Sequence, residues 1–252
     1  MRSRARRDAR GFAGRGLAVR GLAGRGLAGR GFAGRGLVGR WRCAYGQCVR
    51  YEAIVLAGGD SRRLDGADKP ALVVGGSTML ERVIAACSGA DRTVVVGPQR
   101  PGISGVRWCQ ESPPGGGPVA ALAAAVPLVQ TPVVLTLAAD LPFVGPAVPV
   151  LLERLGDAEV AVLVEVGGRR NLLAAAWRTS ALREHLADLE PVGLPVRALF
   201  AEADVAEVVD DLGWGRDCDT WPEVAAARAT AATDADAARD TGIRAATEEG
   251  MP

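Results

Sequence analysis

A glycine-rich, basic loop follows a mostly apolar segment, and together they carry much of the chemistry visible in this chain. Residues 51–57 are predicted to form a strand, and Gly58 and Gly59 come directly after it. Glycine has no Cβ, so the backbone can turn sharply there and approach a ligand closely. Exposed amide groups in such a turn can bind phosphate oxygens. Because Arg63 and Lys69 add positive charge to the loop, we expect it to bind a nucleoside triphosphate.

The spacing excludes two common phosphate-binding motifs. A P-loop requires a Gly-Lys pair before Ser or Thr, and the chain contains no such pair. The glycines at 58, 59 and 66 do not match the Gly-x-Gly-x-x-Gly pattern of dinucleotide-binding proteins. The remaining alternative is an ordinary strand-to-helix turn that is basic by chance, and we favour the nucleotide site.

Two aspartates are candidate metal ligands. Asp140 ends a predicted strand at 132–139, where a buried carboxylate is costly unless it is paired or binds a cation. Asp219 precedes a predicted helix at 221–228. Carboxylates of this kind hold Mg²⁺ against the phosphates of a substrate. The alternative for both is helix capping. Asp140 would cap the helix that follows it, and either Asp219 or Thr220 would cap the helix at 221–228.

Short apolar runs alternate with helical segments along the body of the chain. The predicted strands are residues 51–57, 92–97, 132–139 and 159–166, with a further strand at 172–177. The predicted helices are residues 78–87, which open with the capping box Thr78-x-x-Glu81, 119–126 and 145–155. Strands that are apolar throughout are typical of a sheet covered on both faces. We therefore predict an α/β fold of three layers, Rossmann-like, with a mainly parallel sheet and helices on both faces. Ligands of such folds bind at the carboxyl ends of the strands, where the Gly58 loop and Asp140 both fall.

The pattern Leu56-Ala57-Gly58-Gly59-x-x-x-Arg63-x-x-Gly66-x-x-Lys69 resembles the signature loop of the molybdenum cofactor guanylyltransferases. These enzymes belong to the glycosyltransferase-A-like nucleotidyltransferase superfamily. The resemblance extends to residues 137–142 and 217–223, and so covers about 51–228.

The resemblance implies that the chain transfers GMP from GTP to a molybdopterin-type molybdenum cofactor, with release of pyrophosphate and dependence on Mg²⁺. Its catalytic residues would be Arg63, Lys69 and Asp140, and its metal ligands Asp140 and Asp219. The implied nucleotide-binding residues are Leu56, Ala57, Gly58, Gly59, Lys69, Glu111 and Asp140. Glu111 occupies the place where related guanylyltransferases carry an acidic contact to the base, although a surface turn is the alternative for this Pro- and Gly-rich loop.

Two positions depart from the family pattern. Asp65 stands where the family usually has Gly, and Gly97 stands where the compared guanylyltransferases have Asn near the base. The alternatives that stay open are cytidylyl transfer to the cofactor, guanylyl transfer to a phospho-acid, nucleotidyl transfer to a sugar phosphate, and a non-catalytic nucleotide-binding protein.

Charge divides the chain into unlike parts. Residues 1–50 carry 13 Arg and one Asp and include a five-residue Gly-Arg repeat at 11–40, while the remainder carries 17 basic and 28 acidic residues. We expect residues 1–50 to be a disordered arm, residues 51–228 to be the nucleotidyltransferase domain and residues 229–252 to be a disordered tail or a frayed helix. For the arm we favour a translated upstream stretch without a role over nucleic-acid binding.

The other expectations concern partners and location. The five cysteines match no zinc-binding spacing, and no signal or membrane-spanning segment is evident. We expect a cytoplasmic protein, with GTP and the molybdopterin cofactor as substrates. A molybdoenzyme or a cofactor chaperone is a further candidate partner.

Deleting residues 1–48 is expected to leave the melting temperature and the transfer activity unchanged, because a Gly-Arg repeat buries too little apolar surface to stabilise the domain. Thermal denaturation and a turnover assay measure both. A large drop in melting temperature would show that the arm packs on the domain. Any nucleic-acid binding by the arm would weaken steeply with salt.

Overall fold

The computed structural model describes the backbone of residues 49–59 and 62–248. It describes the side chains of residues 49–59 and 63–234. In chain order the strands are Tyr51–Leu56 (β1), Val73–Val74 (β2), Ser77–Thr78 (β3), Thr93–Val96 (β4), Arg107–Cys109 (β5), Val133–Ala138 (β6), Val160–Glu165 (β7), Arg170–Arg178 (β8) and Val205–Asp210 (β9). The α-helices are Met79–Ala86 (α1), Pro118–Ala125 (α2), Ala147–Arg154 (α3), Thr179–Ala187 (α4) and Trp221–Glu248 (α5). Short 3-10 turns lie at Arg62–Leu64, Lys69–Ala71, Val126–Leu128 and Val196–Phe200.

Within the described ranges, seven strands form one sheet in the order β5-β4-β1-β6-β8-β7-β9. Strands β5, β4, β1 and β6 are parallel neighbours, β7 is parallel to β9, and β8 is antiparallel to both β6 and β7. The chain moves outward from β1 to β4 and β5, and then returns to β6 on the other side of β1. This reversal places a ligand crevice at the carboxyl ends of β1 and β6.

Helices cover both faces of the sheet, as predicted. On one face, Leu80 of α1 and Leu151 of α3 pack with Ala53 and Val55 of β1 in one apolar cluster. On the other face, Leu122 of α2 packs in a second cluster that also contains α4 residues and the alternate side chains of β1 and β4. Every residue of β1 is buried, because both faces of the strand are covered. The predicted three-layer α/β fold is confirmed.

The predicted elements within the described ranges are confirmed to within about two residues at most ends. The Thr78–Glu81 capping box is formed, with each residue bonding the backbone of the other, and it opens α1. Four elements were not predicted: β5, the β2–β3 hairpin, α4 and β9. The first two contain strands of only two or three residues, too short for a periodic pattern, and β9 alternates polar and apolar residues at the sheet edge.

A third, smaller apolar cluster lies under the hairpin. It joins Val74 and Met79 to Val224, Ala227 and Ala231 of α5. The helix continues to Glu248, so of the two alternatives for this segment, a disordered tail or a frayed helix, residues 229–248 adopt the helix. Its many alanines favour helix, and this propensity outweighs the lack of large apolar side chains there.

Residues 1–48, which include nearly all of the predicted basic arm, lie outside the described ranges. In the part of the chain that is described, no helix is both long and apolar enough to cross a bilayer.

Candidate active site

The glycine-rich loop and Asp140 meet at one edge of the sheet. The loop leaves the carboxyl end of β1, and Asp140 follows β6, the neighbouring parallel strand, in which Ala138 is in register with Leu56. The backbone amide of Ala139 donates to the carbonyl of Leu56 at 3.0 Å and continues this pairing beyond the strands. Because β1 and β6 are adjacent parallel strands, their carboxyl ends lie side by side. The predicted phosphate loop therefore lies beside the predicted metal ligand.

Lys69 joins the two candidate metal ligands. Its ammonium donates hydrogen bonds to Asp140 Oδ2 and Asp219 Oδ1, which lie 71 and 150 positions away in the chain. The lysine side chain is only 13% exposed. Burial disfavours its charge, but the two carboxylates outweigh burial and raise the pKa of Lys69 above its ordinary value. The lysine therefore stays charged throughout the physiological range.

Helix capping does not account for either aspartate. Asp140 lies seven positions before Ala147, the first residue of α3, and Pro146 occupies the N-cap position. At α5, Glu223 Oε2 accepts from the amides of Asp219 and Thr220 at 2.8 and 2.7 Å, and the Glu223 amide donates to the Thr220 hydroxyl at 3.5 Å. Because Thr220 and Glu223 cap the helix, the carboxylate of Asp219 is directed to Lys69 instead.

One carboxylate oxygen beside the lysine is left without a partner in the part of the chain that the structure describes. Asp140 Oδ1 is buried and has no hydrogen-bond partner among the described residues. Burial raises the pKa of Asp217 above its ordinary value, and the neighbouring carboxylates of Asp219 and Asp140 raise it further. An orphaned carboxylate oxygen in such a field is a place for a further cation.

The carboxylates fit a cation that completes its coordination from the substrate. Hard divalent cations prefer oxygen ligands, and small ones commonly take one or two carboxylates plus phosphate oxygens and water. The described residues contain no group of three or more His, Cys, Asp or Glu able to hold a metal ion by themselves. The oxygens of Asp140 and Asp219 are of the chemical type that such an ion binds, which leaves its other ligands to phosphate and water.

The phosphate loop presents its backbone to solvent. Leu56 and Ala57 are buried, whereas Gly58 and Gly59 are exposed. Arg63 lies farther along the loop, with its side chain 74% exposed and its guanidinium 3.4 Å from Asp219 Oδ2. The structure therefore brings Arg63 to the same cluster as Lys69.

Arg100 connects both ends of the phosphate loop. Its guanidinium pairs with the two carboxylate oxygens of Asp68 at 2.6 and 2.9 Å and donates to the carbonyl of Ala57 at 3.0 Å. Gly97, just before this segment, has φ +136° and lies against the loop, where a Cβ would come within 2.9 Å of the Gly58 nitrogen. A glycine is required here, so the Asn expected at this position in the family cannot be accommodated by this backbone.

Asp65 does not direct its charge into the loop. It adopts a left-handed conformation, φ 53°, a region in which Gly, Asn and Asp are the residues most often found. Its Oδ2 accepts from the indole nitrogen of Trp221 at 3.0 Å, at the start of α5. The departure from glycine at this position is thereby explained by a hydrogen bond that ties the loop to α5.

Glu111 is a buried acid with one carboxylate oxygen uncommitted. Oε1 accepts from the amide of Gly115 at 3.0 Å, while Oε2 is buried without a hydrogen-bond partner among the described residues. The acid follows the carboxyl end of β5, which is parallel to β4, and so lies at the same end of the sheet as the phosphate loop. An unsatisfied acceptor in this position can take hydrogen bonds from donors on a ligand.

Sequence reasoning did not identify Arg100, Asp68 or Trp221 as parts of the site. A single arginine or tryptophan in a loop has no spacing that marks it, and their roles depend on contacts over 32 and 156 positions. The one related signal in the sequence is Asp65, at a position where the family usually has Gly, since it is the partner of Trp221.

Comparison with known proteins identifies relatives of this chain. Residues 53–208 match the family model of the MobA-like NTP transferase domain. The molybdenum cofactor guanylyltransferase of Nitrobacter hamburgensis is 36% identical over 149 residues, which are 54% of this chain and 70% of that protein.

Two solved structures share the fold. Molybdopterin-guanine dinucleotide biosynthesis protein A from Archaeoglobus fulgidus aligns with a TM-score of 0.58 at 20% identity, over 72% of this chain and 99% of that one. The 2-C-methyl-D-erythritol 4-phosphate cytidylyltransferase of Thermus thermophilus aligns with a TM-score of 0.57 at 22% identity, over 73% of this chain and 99% of that one. The family model spans more than half of the chain, so this protein belongs to the MobA-like NTP transferase family.

Proposed function

We propose that the protein transfers GMP from GTP to a molybdopterin-type molybdenum cofactor and releases pyrophosphate. The observation that carries the proposal is the Lys69–Asp140–Asp219 cluster beside the exposed glycine loop. The relative from Nitrobacter hamburgensis, a molybdenum cofactor guanylyltransferase, supports this choice of substrate and acceptor.

The reaction requires no nucleophile from the protein. A phosphate oxygen of the acceptor attacks the α-phosphorus of GTP, and the bond from that phosphorus to the oxygen bridging to the β-phosphorus breaks. Pyrophosphate leaves with the electron pair of that bond. Catalysis then depends on holding the two phosphates in line and on neutralising their charge. We assign this neutralisation to Lys69, Arg63 and the amides of Gly58 and Gly59.

The proposed metal ion is Mg²⁺, held by Asp140 and Asp219. When bound, it would neutralise triphosphate charge and fix the phosphate geometry. The orphaned Asp140 Oδ1 supports this assignment, since it lacks any partner in the described part of the chain. Lys69 would then bind triphosphate oxygens as a compact point charge.

Glu111 is the proposed determinant of base choice. Guanine presents two adjacent donors, N1–H and the exocyclic amine, that a carboxylate can accept together, and cytosine does not present this pair. The uncommitted Oε2 of Glu111 supports the proposal.

The partners of the reaction follow from this scheme. GTP and the molybdopterin cofactor are the substrates, and a molybdoenzyme or a cofactor chaperone would receive the product. The described cysteines, at positions 87, 109 and 218, are free. A non-catalytic binding role is disfavoured because the charge of Asp65 is engaged by Trp221.

Replacing Lys69 or Asp140 by Ala is expected to reduce turnover about 10²- to 10³-fold, since each removes a preformed charge from the reaction centre. Turnover is measured with GTP, Mg²⁺ and the molybdopterin cofactor. The matched control is Asp188→Ala, which removes an exposed aspartate at the end of α4. Wild-type turnover in Asp140→Ala would contradict the metal assignment.

Arg100→Lys is expected to raise the KM for GTP about tenfold, because lysine keeps the charge but cannot pair with both Asp68 oxygens and the Ala57 carbonyl. The phosphate loop would then be less well positioned. Arg107→Lys, an exposed change on β5, is the control and should leave the KM unaltered. An unchanged KM in Arg100→Lys would show that the loop keeps its position without the clamp.

GTP is expected to bind at least about tenfold more tightly than CTP or ATP, because charge-assisted hydrogen bonds are worth about 1.5–3 kcal/mol each. Glu111→Gln should erode that ratio, and Glu202→Gln, at an exposed position, should not. Calorimetric titration with the three nucleotides measures the ratio. Equal affinities in the wild type, or a preference for CTP, would defeat the guanylyl assignment while leaving the fold untouched.

A further inference from the structure

The ammonium of Lys69 lies where a divalent cation shared by Asp140 and Asp219 would have to lie. It donates hydrogen bonds to Asp140 Oδ2 and Asp219 Oδ1, and so fills the space between the two carboxylates. The lysine side chain is largely buried, so protein atoms surround most of this space. A cation that binds these two oxygens must therefore take the place of the ammonium.

The other oxygens of the two carboxylates do not make a second site. Asp219 Oδ2 faces the guanidinium of Arg63 at 3.4 Å, so each oxygen of Asp219 already has a positive charge beside it. Asp140 Oδ1 is buried and has no hydrogen-bond partner among the described residues. While Lys69 keeps its position, the carboxylate pair therefore offers a divalent cation one free oxygen, next to an ammonium.

Charge acts in the same direction as geometry. In the cluster of Lys69, Arg63, Asp140 and Asp219, two positive side chains face two negative ones. A divalent cation bound at Asp140 Oδ1 would lie close to the ammonium, and the repulsion between like charges is strong at short range in a partly buried site. The cluster without nucleotide therefore disfavours a divalent cation.

A triphosphate on the glycine loop would change this balance. It brings several negative charges that compete with the carboxylates for the ammonium. Lysine carries a compact charge on a flexible stem, so the ammonium can turn to the phosphates while the backbone stays in place. The ion pair between Arg100 and Asp68, the residue directly before Lys69, holds that backbone. Rotation of the Lys69 side chain would free Asp140 Oδ2 and Asp219 Oδ1 for a cation.

We propose that Lys69 excludes divalent cations from the Asp140–Asp219 site until a triphosphate binds. This inference rests on the proposed function, which supplies the metal ligands and the phosphate loop. Cation binding then depends on the nucleotide. Because the coupling between two ligands is reciprocal, the cation in turn strengthens the binding of the triphosphate. After pyrophosphate leaves, the ammonium returns to the carboxylates and weakens their hold on the cation.

The test is titration of the nucleotide-free protein with Mn²⁺, in which the EPR signal of the free ion measures how much is bound. Lys69→Met removes the ammonium and keeps a long side chain. We expect this variant to bind Mn²⁺ about tenfold more tightly than the wild type, a typical size for the coupling between two ligands. Arg107→Met removes an exposed cation from β5 and is the matched control. It should bind Mn²⁺ as the wild type does.

A second variant locates the bound ion. In Lys69→Met/Asp219→Asn the gain should be lost, because an amide replaces one of the two carboxylates. A gain that persists in the double variant would place the ion elsewhere and overturn the proposal.

Thermal denaturation adds a measurement that holds even if Lys69→Met is unstable. The variant leaves two carboxylates close together without a cation between them, and we expect its melting temperature to fall. A ligand that binds only the native protein stabilises it. Mn²⁺ should therefore raise the melting temperature of Lys69→Met more than that of the wild type, and an equal effect on both proteins would contradict the proposal.

These results are separable from those that test the proposed function, because the titrations contain neither nucleotide nor acceptor. Equal Mn²⁺ affinities of the wild type and Lys69→Met would overturn exclusion by Lys69 even if guanylyl transfer is observed. A tenfold gain that requires Asp219 would support exclusion even if no transfer is detected.

Discussion

The ammonium group of Lys69 holds together two carboxylates that come from distant parts of the chain. Asp140 follows a central strand and Asp219 precedes the last helix, and without a cation between them they would repel each other and the nearby Asp217. Removing one partner of a partly buried ion pair leaves uncompensated charge, which is costly. The native structure therefore requires the segment that carries Lys69 to lie between Asp140 and Asp219.

Two further contacts hold the phosphate loop in that place. Arg100 joins Ala57, at the start of the loop, to Asp68, which directly precedes Lys69. The hydrogen bond from Trp221 to Asp65 ties the middle of the loop to the start of α5, two positions after Asp219. The phosphate loop is thus held by the loop that carries Arg100 and by the start of α5. Preorganisation of this kind makes charge neutralisation effective, since little reorganisation remains for the reaction step.

The sequence predicted the sheet layers and the central cluster because their signals are local. Apolar strands, a capping box and the spacing from Gly58 to Lys69 can be read over a few residues, and the end of a parallel strand is a known place for ligands. The clamp by Arg100 and the hydrogen bond from Trp221 depend on contacts between remote loops, which no periodicity encodes. The segment beyond 228 left a disordered tail and a frayed helix both open, because its small side chains suggest no core whereas alanine favours helix. The alternative of capping by Asp219 could be resolved only when Thr220 and Glu223 were seen to satisfy the α5 amides.

The most direct test of the account is anomalous scattering from crystals grown with GTP and Mn²⁺, in which Mn²⁺ replaces the proposed Mg²⁺. We expect one manganese peak bound by carboxylate oxygens of Asp140 and Asp219 and by triphosphate oxygens. The ammonium of Lys69 should contact the triphosphate, and the glycine loop should surround it. A manganese ion bound elsewhere, or a triphosphate that does not contact Lys69, would contradict the assignment of this cluster as the reaction centre.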